Sequence, residues 1–217
     1  LLNAARPRPV TATDPDGGRR TFLVRAGALC VLSLVGYGFG RAMLESRATQ
    51  VATADVAVPP TIDPAPTLTA DNAFAGLAGL TPIVIANDAF YRIDTALLTP
   101  AVDVSTWSLR VHGMVYREVT LTFDQLVELP LIERYVTIAC VSNEVGGDLI
   151  GNAKWTGVRL TDVLGMAGVQ PGATQIVPRS VDGWAAGFPT EWVTDPGRPR
   201  DALIAVKMND EPLPAAH

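Results

Sequence analysis

Cys140 is the side chain of this sequence with the most to offer chemically. It stands in Thr137-Ile138-Ala139-Cys140-Val141-Ser142-Asn143-Glu144-Val145-Gly146-Gly147-Asp148, where a β-rich run passes into a polar loop containing glycine. A side chain at a strand end is held rigidly and still faces a cleft, which suits a metal ligand. Thiolate is the soft ligand that thiophilic metals select. Ser142, Asn143 and the glycine amides add neutral donors that can bind a polyanion or tune a thiolate. The competing reading is a buried structural cysteine, a common fate of free Cys. A nucleophilic cysteine wants a nearby base, and the only histidines are His112 and His217. His112 falls in an expected strand, where it reads as a packing residue.

The elements that must position Cys140 are mostly short strands. Trp107, Leu109 and Val111 alternate with polar residues, as in a half-buried strand that Gly113 ends. Val119 to Phe123 is a second strand. Thr122 with Gln125 three residues on is a capping-box pattern, opening a short helix that Pro130 closes. Tyr135 to Val141 is β-rich and reads as a buried strand. Thr161 can cap a helix running through Met166 and ended by Gly168. Gln175 to Pro178 and Ala202 to Met208 read as further strands, and Asn209-Asp210 as a turn. The expected fold is α+β, dominated by short strands and preceded by one hydrophobic helix.

The second cysteine, Cys30, lies in the uncharged 15-residue run Ala26 to Gly40. A disulfide from there to Cys140 would tie an apolar segment to the domain, so Cys140 is expected as a free thiol. The run is short for a membrane helix of roughly 20 residues and suits a signal-peptide core of about 7–15. Arg19-Arg20-Thr21-Phe22-Leu23 resembles a twin-arginine export signal, with Ala52-Thr53-Ala54 placed for signal peptidase. The alternatives are the last helix of a longer membrane region, or a buried soluble helix. Arg6, Arg8, Arg19, Arg20 and Arg25 precede the run, which puts the domain outside the cytoplasm by the positive-inside rule.

The sequence thus divides into a flexible polar tail over 1–18, a transmembrane or signal segment over 19–44, a Pro/Ala/Thr-rich linker over 45–70, and a domain over 71–217. It begins with Leu1 and stops at His217, and reads as a fragment open at both ends. Of its 217 residues 48% are hydrophobic and 18% charged, which argues against disorder. A net charge of −5 and 6% aromatic residues leave neither a basic patch nor a base-stacking surface, so nucleic acid is not an expected partner.

Two blocks carry a family resemblance: Cys140-Val141-Ser142-Asn143-Glu144-Val145-Gly146-Gly147, and Gly151-Asn152-Ala153-Lys154-Trp155-Thr156-Gly157-Val158 continuing through Leu160 to Leu164. Together they resemble the core of bacterial molybdopterin-dependent oxidoreductases related to sulfite oxidase, over about residues 80–217. The resemblance implies a sulfite oxidase-like molybdopterin-binding fold and a molybdenum-molybdopterin cofactor. It makes Cys140 the sole protein ligand of the metal and the catalytic residue. Asn87-Asp88-Ala89-Phe90-Tyr91-Arg92 is similar to the family's first cofactor-contact segment. Ser180-Val181-Asp182-Gly183 and Met208 to His217 match later segments. Asn87, Asp88, Tyr91, Arg92, Ser142, Asn143, Ser180, Asp182 and His217 are therefore the expected cofactor-binding residues.

Each has a plainer reading. Asn87 and Asp88 can make a turn, Tyr91 and Arg92 a surface edge, and Ser180 with Asp182 a hairpin cap; Trp155 is a core anchor. Animal and plant sulfite oxidases carry arginine soon after the metal cysteine, whereas here Asn143 is followed by Glu144 and Val145. An anion such as sulfite wants cationic contacts, and Arg92, Arg134, Lys154, Arg159 and Arg179 are the candidates. The functional expectation is oxygen-atom and two-electron transfer to or from a small substrate outside the cytoplasmic membrane. A cytochrome or a quinone-linked protein would be the electron partner, and the hydrophobic segment the membrane contact. A non-catalytic, membrane-tethered binding domain that keeps the fold is the alternative; a cysteine hydrolase is a weaker third.

Overall fold

In a computed structural model of the chain, residues 15–52, 57–69, 74, 77–78, 80–94, 99–100, 102–199, 201–214 and 217 are described, with side chains over 18–43 of the first stretch. The chain falls into two compact units, Leu1–Met43 and Leu44–His217.

The first unit is helical. Helix α1 spans Pro15–Ala52, and its 26-residue stretch Gly18–Met43 is long and apolar enough to cross a membrane, a test that a signal sequence also passes. Leu23, Val24, Leu29, Leu32, Leu34 and Phe39 are all exposed. Apolar residues on every side suit a lipid surrounding rather than a one-sided core. The helix continues eight residues into the stretch expected to be linker and covers the end of the expected polar tail; residues 1–14 lie outside the described part.

In the second unit the elements are β1 (Ser108–Val111), β2 (Val119–Thr122), α2 (Phe123–Val127), β3 (Leu131–Ala139), β4 (Ile150–Arg159), α3 (Leu160–Ala167), β5 (Gln175–Ile176), β6 (Phe188–Pro189), α4 (Glu191–Thr194), β7 (Leu203–Met208) and β8 (Glu211–Pro212). They form hairpins β1-β2 and β5-β6 and an antiparallel four-stranded sheet ordered β3-β4-β7-β8. The expected α+β architecture of short strands is what the chain adopts.

Several local expectations hold. Thr122 and Gln125 form a complete capping box at α2, each side chain bonded to the other's backbone. Gly168 ends α3 at φ 69°. Asn209 and Asp210 both take positive φ in the β7–β8 turn. Four expectations are corrected. The N-cap of α3 is Arg159, not Thr161, and no side chain caps it. His112 is exposed and lies just past β1 rather than packing within it. Strand β3 starts at Leu131 and is buried only at that end; Val136 to Ala139 are exposed. The segment before residue 71 is also more than a linker. Asp63 bridges Ile132 in parallel, Ile62 N–H donates to Leu131 O at 2.8 Å, and Glu133 N–H donates to Asp63 O at 2.9 Å. The Asp63 carboxylate receives Arg134 at 2.7 Å and Arg159 at 2.8 Å, so this strap is clamped to the outer edge of β3.

Two clusters make the core. One joins Leu121, Leu126, Val127, Leu131, Val158, Val163 and Val206 beneath the β1-β2 hairpin. The other joins Phe90, Ala153, Trp155 and Met208, with Ile85, Tyr91 and Leu213 against it. Trp155 is the core anchor expected, its indole N–H reaching Val136 O at 3.3 Å.

Candidate functional site

Side chains alternate across a strand, so Val136, Ile138 and Cys140 share one face of β3 and its extension. Cys140 is the first residue past the strand. Its N–H donates to Leu149 O at 2.9 Å and its carbonyl accepts Asn143 N–H at 2.9 Å. The Asn143 side-chain oxygen takes Leu149 N–H at 2.9 Å. These bonds close the base of the 141–148 loop and fix where the thiol leaves the sheet. Cys140 is a free, half-buried thiol. Ser142, Glu144 and Asp148 are exposed along the loop, and so are Val141 and Val145.

The Asn87–Arg92 segment is brought to the same end of the sheet by contacts that sequence reading did not find. Ile85 N–H donates to Asn152 O at 2.9 Å, and the Asn152 amide donates to Ile83 O at 2.7 Å. Asn209 does most of the remaining work. Its amide donates to Ile85 O and to the Asn87 side-chain oxygen, each at 2.8 Å, while its own oxygen accepts Lys154 N–H at 3.0 Å. Phe90 then packs closely against Gly151 of β4. A Cβ at Gly151 would stand 2.6 Å from the ring, so only glycine admits the aromatic there. Phe90 stacks on Tyr91 at 5.3 Å and meets the His217 ring edge-on at 5.3 Å and Trp155 at 6.1 Å. The signal in the sequence was available only as the aromatic pair Phe90-Tyr91 and an isolated glycine in a strand.

Tyr91 lies within electrostatic reach of Cys140. Burial and, second, the nearby Cys140 hold its phenol above the usual tyrosine range. His217 is held below the usual histidine range by burial and then by the nearby Arg92 charge, which keeps the imidazole neutral near pH 7. Asn87 uses its amide on Met208 O at 3.1 Å and on Glu211 at 2.9 Å. Arg92 is paired with Asp94 at 2.5 Å and also donates to Thr99. Asp88 is exposed.

Thus Tyr91 and His217 pack on Phe90, Asn87 and Arg92 lie by His217, and Cys140 lies within electrostatic reach of Tyr91, with Ser142 and Asn143 on the loop that follows it. Ser180 and Asp182 are engaged in a turn of their own. The Ser180 hydroxyl donates to Asp182, which also accepts Trp184 N–H at 3.1 Å.

Comparison with known proteins defines the class. The chain belongs to the family described as the oxidoreductase molybdopterin binding domain, which matches residues 96–217; it is a sulfite oxidase-like, molybdenum-dependent oxidoreductase family. Among curated relatives, the chain is 31% identical over 153 residues to mitochondrial sulfite oxidase of Drosophila melanogaster, covering 60% of this chain and 26% of that protein. It is 30% identical over 144 residues to nitrate reductase [NADH] 1 of Oryza sativa subsp. japonica, covering 54% and 16%. It is 30% identical over 115 residues to the uncharacterized oxidoreductase YuiH of Bacillus subtilis, covering 53% and 54%. The chain therefore spans about half or less of these relatives. Among solved structures, the sulfane dehydrogenase SoxCD of Paracoccus pantotrophus superposes with a TM-score of 0.56 at 21% identity, covering 64% of this chain and 38% of that one; the likeness is one of fold.

The residues present fit the metal end of the cofactor that the family implies. Among the described residues no three or more of His, Cys, Asp and Glu cluster to hold an ion by themselves. One accessible thiolate at a rigid strand end suits a metal that arrives with its other ligands already on it. Cys140 would ligate the metal, with the Tyr91 phenol within electrostatic reach of it.

Proposed function

We propose that the complete protein is a molybdenum-dependent oxidoreductase that moves an oxygen atom and two electrons between a small substrate and a redox partner, on the outer side of the cytoplasmic membrane. The observation that carries this reading is the free Cys140 thiol at the end of β3 in a chain of this family, with the Tyr91 phenol within electrostatic reach. The bound cofactor supplies the redox chemistry. The protein's part is to present one thiolate at fixed geometry, to hold a proton on Tyr91, and to keep the imidazole of His217 neutral. A cytochrome or a quinone-linked protein would carry the electrons. The apolar stretch Gly18–Met43 and the arginines before it support an anchor or export signal with the domain outside.

The test is metal content and turnover of the Cys140→Ser variant. Serine oxygen is a harder ligand than thiolate, and the volume change is small. Molybdenum and activity are expected to be lost together, with the thermal midpoint nearly unmoved. A serine variant that keeps equimolar molybdenum and full turnover sinks the proposal. Protease added to spheroplasts should digest the domain; protection until lysis would reverse the orientation.

A further inference from the structure

We infer that Asn143 positions the Cys140 thiolate by ending the β3–β4 ladder at that residue, not by touching the cofactor, and that Gly147 leaves the room it needs. That Cys140 ligates the metal rests on the function proposed above; what is added is the residue that fixes it. The register of the hairpin pairs Ala139 with Ile150, so Cys140 and Leu149 come next. A hydrogen-bonded pair in an antiparallel ladder exchanges two bonds. Here one is made, from Cys140 N–H to Leu149 O at 2.9 Å. Leu149 N–H goes instead to the Asn143 side-chain oxygen at 2.9 Å, and Cys140 O accepts Asn143 N–H at 2.9 Å. Asn143 thus engages both groups that the second bond would have joined. The Cys140 carbonyl is drawn into a turn over 140–143, and the chain leaves the sheet at the residue that carries the thiol.

A second turn follows, closed by Gly147 N–H on Glu144 O at 2.9 Å. It brings Gly147 back onto Asn143. A Cβ at Gly147 would stand 2.9 Å from Asn143 Oδ1 and 3.0 Å from Glu144 O. The two neighbouring glycines meet different needs. Gly146 takes φ 77°, the left-handed region, and a Cβ there would meet nothing within 4 Å. Gly147 is not at positive φ, so it is the missing side chain and not the backbone that matters there. The oxygen of Asn143 could not keep its bond to Leu149 against a methyl group at 147. Only the carbonyl end of an amide can accept an N–H, which fixes the way the Asn143 side chain points. The bond asks for an acceptor and nothing more, so a carboxylate of the same shape can make it. A direct contact to a polyanionic cofactor would ask for the opposite, a donor. Partners that orient a metal ligand from behind change metal affinity by about 10–100-fold when they are removed.

The first measurement needs no metal. In the detergent-solubilised full chain, amide hydrogen exchange at Leu149 is followed by mass spectrometry with fragmentation. Asn143→Ala should speed it by roughly two- to tenfold, the scale of one ordinary hydrogen bond. Gly147→Ala should do the same, because its methyl group displaces the oxygen without removing it. Asn143→Asp keeps an acceptor in place and should stay near the parent. Exchange over the mostly buried stretch 153–158 of β4 should not change in any of the three. A Leu149 rate in Asn143→Ala equal to the parent's overturns the inference, and so does a faster rate matched over 153–158, which marks general loosening. In the complete protein, molybdenum per chain is then measured after gel filtration, together with the thiolate-to-metal absorption. Asn143→Ala and Gly147→Ala should retain roughly tenfold less molybdenum, with the absorption of the remainder shifted. Asn143→Asp should retain more than Asn143→Ala and absorb as the parent does. An aspartate at least as damaging as alanine is the result expected of a direct amide contact to a polyanion, and it overturns the inference. The two readings fail separately. Molybdenum retained by Cys140→Ser removes the proposed function and leaves the exchange results standing, whereas molybdenum lost on that change but kept in full by Asn143→Ala removes only the positioning role.

Discussion

Replacing Gly151 by alanine tests how the site is held together. The new Cβ would stand 2.6 Å from Cε2 and 2.8 Å from Cζ of Phe90, against about 3.5–4.0 Å for carbon atoms in contact. The ring must therefore give way by about 1 Å. It has little room, being 8% exposed and packed against Tyr91, Trp155 and His217. Overpacking of this kind costs about 1–3 kcal/mol. At about 2–4 °C per kcal/mol for a chain of this size, the thermal midpoint of Gly151→Ala should fall by about 2–12 °C. The same displacement should unpack Tyr91 from Phe90 and lessen its burial, so the phenol should titrate closer to an ordinary tyrosine. A partner variant, Phe90→Leu, shortens the ring side chain. The double variant should then be less destabilised than the sum of the singles by about 1 kcal/mol. A single variant within about 0.5 kcal/mol of the parent, or costs that add without coupling, would refute the account of Gly151 as the seat of Phe90.

Three further outcomes follow from the fold. Thr122→Ala removes one arm of the α2 capping box and should lower unfolding stability by about 0.5–2 kcal/mol, read as a lower denaturant midpoint; an unmoved midpoint would show that α2 is held by Leu126 and Val127 alone. Asn209→Ala removes the side-chain bonds to Lys154, Ile85 and Asn87 and should cost about 1–3 kcal/mol, with poorer molybdenum retention because the 85–92 segment loses its tether. Retention equal to the parent's would count against that tether. Asp63 is held below the ordinary carboxylate range, first by its hydrogen bond from Arg134. A depressed folded value gives stability that is complete above the unfolded pKa near 4 and is lost as pH falls through the lower folded value. Between pH 6 and pH 3 the parent should therefore lose more stability than Asp63→Asn, which lacks this contribution throughout; equal slopes in urea melts would exclude the clamp.

What could be read from the sequence was what its neighbours in sequence decide. The capping box at Thr122 and Gln125, the turn at Asn209-Asp210 and the end of α3 at Gly168 each depend on residues within a few positions. The place of Cys140 at a strand end was legible because a β-rich run abuts a glycine loop, and the family resemblance named the residues expected around it. The contacts that assemble those partners were not legible. Phe90 meets Gly151 across 61 positions, and the Asn209 amide reaches Asn87 across 122. No local periodicity encodes either. The prolines at 59, 60, 64 and 66 masked the strap, since they suit a free linker as well as an edge that offers few N–H groups. The exposed end of β3 was misread as buried because Val136 and Ile138 carry the same β-branched signal in either place.

The strap also decides where a soluble form of the domain has to start. Composition changes at Asp71, and a version cut there would leave Arg134 and Arg159 without Asp63 and expose the backbone of β3 at Leu131 and Glu133. An unpaired strand edge recruits other chains, so such a protein is headed for association rather than solubility. A version begun at Ala57 keeps its own edge cover and needs only to lose α1. The same few residues that look like a tether are thus the piece that lets the domain be handled without α1.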